Sequence, residues 1–255
     1  MAIILRLGEA TKWRKQVDFR LDELKSAMII QTKKNDIVAN NLANSNTIGF
    51  KKDFTFFDSY TKKLEDVNNL SIHTVKDFSQ GEFESTNNPL DLGISGQSFF
   101  SIQMGNEEVY TRNGHFGLDK DGFLIDNIGN YVLGKQGPIN LITNTEQVNN
   151  IFIGSDGEIY IDDILVDKLK IANFAEETKM ERLSGSVFRV KNAEFNKITE
   201  ENCVVLQGCI EQSNVNPVNE MVNLMELQRG FESSQRTARI LDNILSKAAS
   251  QLSKV

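Results

Sequence analysis

The sequence predicts an α+β protein: a mainly β central domain flanked by long N- and C-terminal helices that pair as a coiled coil. Three observations carry this. Apolar residues repeat with a seven-residue a/d spacing at both chain ends. Turn dipeptides punctuate short alternating runs in the middle. No proline or glycine interrupts the chain from Glu9 to Ile48.

The N-terminal helix is expected over about Val17–Ser45. Leu21, Leu24, Met28, Val38 and Leu42 occupy the a/d positions, with Gln31, Asn35 and Ser45 filling the rest. Asn35 sits at an a-position, where a buried Asn fixes register at a cost in stability or else faces solvent. Gly49 reads as the helix stop. A helix over Leu21–Asn44 would be about 36 Å long. The C-terminal helix starts from Asn216, a good N-cap, with Pro217 at the first helical position. Its seam reads Leu224, Leu227, Phe231, Ser234, Ala238, Leu241, Leu245, Ala248, Leu252 and Val255, apolar at every position but Ser234. A two-helix hairpin leaves much of such a surface exposed, which calls for neighbouring chains.

Between the helices, residues 51–76 read as a partly irregular connector. It opens on Phe54, Phe56, Phe57 and Tyr60 and turns polar at Asn68 and Asn69. The β region runs from about Val75 to Gln212. Asn113-Gly114, Asp121-Gly122 and Asp156-Gly157 are hairpin signals, because Asn, Asp and Gly tolerate positive φ. Expected strands include Ser98–Gln103, Glu108–Arg112, Phe123–Asp126, Tyr131–Leu133, Ile151–Ile153, Glu158–Ile161, Lys168–Ala172, Val187–Val190 and Cys203–Gln212.

Composition narrows the function. The chain has 255 residues, 40% hydrophobic and 25% charged, and suits one or two domains with a buried core. A net charge of −7 with no basic block argues against nucleic acid and anionic membranes. No apolar run reaches the roughly 18 residues of a membrane span, and Met1–Leu5 is too short for a secretory signal. Cys203 and Cys209 would lie about 20 Å apart on one extended strand. Pairing requires a turn between them, which Gln207-Gly208 leaves open; small buried thiols are the expectation.

Enzymatic chemistry finds little support. A calcium loop starting at Asp119 would place Phe123 where an oxygen ligand belongs and Asn130 where Glu belongs, so Asp119–Gly122 reads as a β-turn. The two histidines, His73 and His115, lie in no zinc-like cluster, and His115 reads as a surface or packing residue. Glu107-Glu108 and Asp162-Asp163 would point to opposite faces of a strand. No catalytic, metal or cofactor residue is therefore nominated, and no small-molecule substrate is expected.

Four blocks then carry a resemblance. Ile37–Lys51 (IVANNLANSNTIGFK) resembles the N-terminal signature of flagellar rod and hook proteins, an apolar residue, A-N-N-L-A-N, then T-x-G-[FY]-K. Asn88–Phe100 (NPLDLGISGQSFF) is similar to that family's N-P-L-D-x-A-I-x-G-x-G-F-F. Tyr110–Phe116 (YTRNGHF), followed by Asp121-Gly122, resembles its Y-T-R-[DN]-G-x-F hairpin. Glu211–Asn216 (EQSNVN), Glu220-Met221, Gln228-Arg229 and Phe231-Glu232 resemble its C-terminal motifs. The blocks occur in the family's order. Ala27 and Ser98 stand where the family has Gly, and about fifteen residues, Trp13 among them, precede the usual start.

The resemblance implies a structural, non-enzymatic subunit of the bacterial flagellar basal-body rod, of the proximal (FlgF-like) type, with the distal (FlgG-like) type as alternative. It implies a helical axial domain over residues 1–52 and 213–255 forming an inner tube, a connector over 53–74, and a β-rich outer domain over 75–212. Partners would be further copies, neighbouring rod and hook proteins and the flagellar type III export apparatus. The location would be the periplasmic rod, reached without a cleaved signal peptide. Assembly contacts would fall on Leu21, Leu24, Met28, Val38, Asn40, Asn41, Leu42 and Asn44 at one end. At the other they would fall on Asn216, Met221, Leu224, Leu227, Phe231, Ala238, Leu241 and Leu245. The Asn-rich run Asn40–Asn44 would be polar packing at the helix end. A rival reading is a carbohydrate- or peptidoglycan-binding β module with helical dimerisation arms.

Overall fold

The computed structural model describes residues 2–57, 72–141, 150–174, 180–190 and 203–252. Backbone alone is described at 2–21, 56–57, 72–73, 248–249 and 251–252. Two compact units emerge. The first comprises residues 1–42, 53–75 and 217–255, the second residues 43–52 and 76–216.

The first unit holds both long helices, α1 (Ala2–Ala43) and α2 (Pro217–Leu252). α1 is 42 residues long, about 63 Å at 1.5 Å per residue. It thus begins well upstream of the Val17 expected from periodicity and passes through Gly8. It also ends before Gly49; residues 44–49 form turns instead, with Thr47 N–H donating to the Asn44 carbonyl at 3.1 Å. α2 begins at Pro217, whose missing N–H costs nothing at the first helical position. Glu220 in its first turn complements the positive end of the helix dipole. The ends of the expected connector are ordered: β1 (Asp53–Phe57) pairs with β2 (Ile72–Lys76). Phe54, Phe56 and Phe57 therefore lie on a strand, while Tyr60, Asn68 and Asn69 fall outside the described residues.

The second unit is built of short strands. In chain order these are β3 (Phe83–Ser85), β4 (Leu92–Ser95), β5 (Ser98–Met104), β6 (Glu107–Thr111), β7 (Gly117–Leu118), β8 (Leu124–Ile125) and β9 (Tyr131–Val132). They continue with β10 (Ile151–Ile153), β11 (Glu158–Ile161), β12 (Ile164–Lys168), β13 (Ile171–Asn173), β14 (Met180–Ser184), β15 (Val187–Val190), β16 (Val204–Gln207) and β17 (Cys209–Glu211). The main sheet runs β14-β15-β6-β5-β9-β8-β7, and β13 also pairs with β5. β10-β11-β12 form a second sheet, and β16 pairs with β4 and β17 with β3. Every pairing given a register is antiparallel.

The core follows the strand alternation. On β11, Ile159 and Ile161 point inward and join Leu92, Ile94, Phe100, Ile102, Val109 and Leu141 in the main cluster. A second cluster gathers Phe99, Tyr110, Ala172 and Phe188. Phe78 meets both Phe99 and Phe188 edge-on at 5.7 Å, a favoured aromatic geometry.

Two of the three expected hairpin turns form. Gly122 and Gly157 have φ of +83° and +82°. Asp119 Oδ1 accepts the Phe123 N–H at 2.8 Å, making the Asp119–Gly122 segment a side-chain-capped turn. Asn113-Gly114 is not a hairpin. Gly114 is needed for close approach: a Cβ there would lie 1.7 Å from the Leu92 carbonyl oxygen. Asp162-Asp163 is itself the turn between β11 and β12, both at positive φ, rather than a strand segment with opposed carboxylates. The expected strand Cys203–Gln212 is broken at Gly208, φ +75°, into β16 and β17. Cys203 and Cys209 are half-buried free thiols.

Candidate functional site

The helical stripe lies in the first unit. On α2, Leu224, Leu227, Phe231, Ser234, Ala238, Leu241 and Leu245 are half-buried, whereas most residues between them are exposed. On α1, Leu24, Met28, Gln31, Asn35, Val38 and Leu42 are likewise half-buried. The side chains of Leu21, Ala248, Leu252 and Val255 are outside those described. The helices touch where Ser234 Oγ donates to Gln31 Oε1 at 3.3 Å. A Cβ on Gly230 would come within 3.0 Å of Gln31 Nε2, so that position favours the smallest residue. Around this contact lies an open groove of about 270 Å³ lined by Gln31, Thr32, Asn35, Leu227, Gln228, Phe231 and Glu232. The buried Asn35 Oδ1 has no hydrogen-bond partner among the described residues. Met221 is off the stripe and 50% exposed, in company with Val218, Met225, Ile240 and Ile244. Asn40 and Asn216 are exposed, and Asn44 is half-buried.

Asn41 does a specific job. It is 1% exposed, and its side-chain amide reads both backbone groups of Asp53. Nδ2 donates to the Asp53 carbonyl at 2.9 Å, and Oδ1 accepts the Asp53 N–H at 3.0 Å. A carboxamide alone among short side chains offers a donor and an acceptor side by side. It thereby pins the start of β1 to the last turn of α1.

In the second unit, three of the sequence blocks meet on one buried ion cluster. Gly49, at φ +67°, sits so close to Arg112 that a Cβ would lie 2.5 Å from its carbonyl carbon. Its N–H donates to the Glu211 carbonyl at 2.8 Å. Phe50 is buried beneath Arg182, whose guanidinium stands 4.1 Å from the ring centre and donates to the Lys51 carbonyl. Lys51 Nζ donates to Glu211 Oε1 at 2.6 Å and to the Ser79 carbonyl at 2.7 Å. Arg112 Nη1 donates to Glu211 Oε2 at 3.1 Å and to the Ile94 carbonyl at 3.2 Å. Gly81 N–H completes the carboxylate's shell at 2.9 Å. All three charged side chains are at most 1% exposed. Burial lowers the pKa of both Lys51 and Arg112, and the Glu211 charge opposes that shift. Nearby, Asn214 accepts the Lys52 N–H at 2.8 Å and donates to the carbonyls of Asp77 and Ser79.

The Asn88–Phe100 block has its own anchor. Asp91, 3% exposed, accepts from Asn88 Nδ2 at 3.1 Å and lies 2.7 Å from His115 Nδ1. His115 is thus a half-exposed packing partner of Asp91. His73 falls among residues with backbone alone described. Among the described residues no three His, Cys, Asp or Glu side chains converge as a metal site, and no helix is long and apolar enough to cross a membrane.

The sequence names the heptad positions but not the ion cluster. Its signal was present: Lys51, Arg112 and Glu211 are charged residues embedded in three separate motif blocks. Nothing in the linear order says that they pair.

In sequence, two long striped helices thus flank a β unit that holds a buried ion cluster. Comparison with known proteins identifies the family. Residues 21–51 match the family model described as flagella basal body rod protein, residues 93–161 the flagellar hook protein FlgE/F/G D1 domain, and residues 206–252 the flagellar basal body rod FlgEFG protein C-terminal region. The chain is 31% identical over 217 residues to the flagellar basal-body rod protein FlgF of Caulobacter vibrioides, covering 82% of this chain and 86% of that one. It is 29% identical over 243 residues to the rod protein FlgG of Buchnera aphidicola from Schizaphis graminum, covering 83% and 91%. FlgF of Mesorhizobium japonicum is 30% identical over 220 residues, covering 84% and 89%. The chain belongs to the flagellar basal-body rod protein family and is a structural subunit of the flagellar rod. Relatives carrying the FlgF and FlgG names match it to similar extents.

Proposed function

We propose that this subunit polymerises by pairing α1 with α2 as a coiled coil and packing the remaining apolar helix surface against neighbouring rod and hook subunits. The observation that carries this is the stripe on α2, where half-burial recurs at a/d spacing while Val218, Met221, Met225, Ile240 and Ile244 stay exposed. On α1 the a/d positions from Leu24 to Leu42 are half-buried together with Ser26, Ile30, Lys34 and Ile37. Exposed apolar surface of this extent favours association. In this reading the assembly residues are those named on the two stripes, with Asn41 holding the helix end. The protein works without catalysis, cofactor, metal or small-molecule substrate. It reaches the periplasmic rod through the flagellar type III export apparatus without signal cleavage, and the proximal, FlgF-like position is favoured. The short sequence connector over 53–74 and the modest length of the chain support that position.

The test is electron cryotomography of flagellar motors in a strain lacking the gene, complemented with wild type or Leu241→Asp. The expected result is a missing or truncated rod without a hook, restored by wild type and not by the variant. A rod that stops near its base supports the proximal position; one that stops near its tip supports the distal position. Complete rods and hooks in the deletion strain would refute the assembly role.

A further inference from the structure

We infer that Lys51, Arg112 and Glu211 form a closing latch, which locks the first and last segments of the second unit in one step once the chain through residue 211 is in place. This inference is independent of how the helices assemble. Its basis is an imbalance: two buried cations share one carboxylate, and among the described residues no other carboxylate bonds either cation. Glu211 is 160 residues from Lys51 and 99 from Arg112 along the chain. Until Glu211 arrives, burying Lys51 and Arg112 would strand two charges in an apolar interior, so the closed arrangement is strongly disfavoured.

Glu211 also acts through both of its polar parts. Its side chain takes Lys51, Arg112 and the Gly81 N–H, while its backbone carbonyl takes the Gly49 N–H. One residue near the end of the unit therefore satisfies donors from its start, from the residue after β6 and from the loop before β3. Closure of one bond places the donors for the others, which makes partial closure a poorly satisfied state. Adjacent bonds reinforce this, since Asn214 ties Lys52 to Asp77 and Ser79, and the Gln212 N–H donates to the Glu82 carbonyl.

Pulse-labelled hydrogen exchange during refolding of the full chain tests the latch. The amides of Gly49, Gly81 and Gln212 should gain protection with one shared rate constant. Protection of Gly49 and Gly81 about tenfold or more ahead of Gln212 would overturn the inference, because the first segment would then close without the last. At equilibrium, Glu211→Gln should lower protection at Gly49 and Gly81 by about 100-fold or more, the loss expected when a buried ion pair loses one partner. Wild-type protection in that variant would also overturn it. Should Glu211→Gln fail to fold, Lys51→Met/Arg112→Met/Glu211→Gln decides. Removing both stranded charges should recover folding, with Gly49 and Gly81 at least about tenfold better protected than in any folded fraction of the single variant. A triple variant no better than the single one would mean that charge pairing is not what closes the unit.

Discussion

Gly49→Ala measures how tightly the segment after α1 is built into the β unit. Two separable costs act there. At φ +67° an L-residue is disfavoured by about 1–2 kcal/mol. The new Cβ would also lie 2.5 Å from the Arg112 carbonyl carbon and 2.6 Å from the Asn113 nitrogen, both backbone atoms that cannot swing aside. Overpacking of this kind costs about 1–3 kcal/mol more. Gly105→Ala is the internal reference. Gly105 has nearly the same φ, +62°, and nothing within 4 Å of its added Cβ, so only the backbone cost applies. At roughly 2–4 °C per kcal/mol for a unit of this size, Gly49→Ala should lower Tm by about 4–20 °C and Gly105→Ala by about 2–8 °C. The decisive quantity is their difference, read by differential scanning calorimetry of the two variants side by side. Equal shifts would refute the reasoning, since they would mean that the Arg112 backbone yields to a methyl group without cost.

Leu241→Asp should abolish co-sedimenting assemblies while leaving the calorimetric transition of the β unit within about 1 kcal/mol of wild type, because the change lies on the helical stripe. Asn41→Ala removes both bonds to the Asp53 backbone and should cost about 1–3 kcal/mol, with the largest loss of hydrogen-exchange protection at the Asp53 amide. Burial and, after it, the nearby Glu108 charge push the Tyr110 hydroxyl up to about 12. The unfolded chain loses this proton near pH 10 while the folded one keeps it, so the tyrosine's contribution is intact below pH 10 and lost between pH 10 and about 12. Urea titrations should show wild type declining by about 2–3 kcal/mol more than Tyr110→Phe across that window; parallel curves would refute it.

Legibility in the sequence followed the range of the interaction. The stripes on α1 and α2 were visible because a helix repeats its environment every seven residues. The start of α1 was not, because Arg14 breaks the repeat and Gly8 argues locally against helix, although Ile3, Leu7 and Ala10 continue the same frame. Turns at Gly122 and Gly157 were readable from Asp-Gly pairs. The same logic failed at Gly114, where the missing side chain makes room for the Leu92 carbonyl rather than for a positive φ. It failed also at Asp162-Asp163, where two aspartates adopt the left-handed region without a glycine to mark them. The ion cluster was beyond local reasoning altogether, since its bonds span about two-thirds of the chain.

The choice of charged residues at that cluster has a physical reason that stability alone does not supply. Buried ion pairs often stabilise no more than apolar residues of equal volume. They differ in direction. An apolar side chain at position 51 could settle against any wall of the cavity, whereas the Lys51 ammonium has to find Glu211 Oε1 and the Ser79 carbonyl together. The Arg112 guanidinium is likewise held to Glu211 Oε2 and the carbonyls of Ile94 and Gly96. A slip of β17 by one residue would turn Glu211 to the opposite face and leave both cations unpaired. β17 pairs over only three residues with β3, too short a ladder to fix its own register by backbone bonds. The ion cluster therefore specifies what the strand pairing leaves open. It thereby sets the position of Glu211 and of the last strand of the β unit.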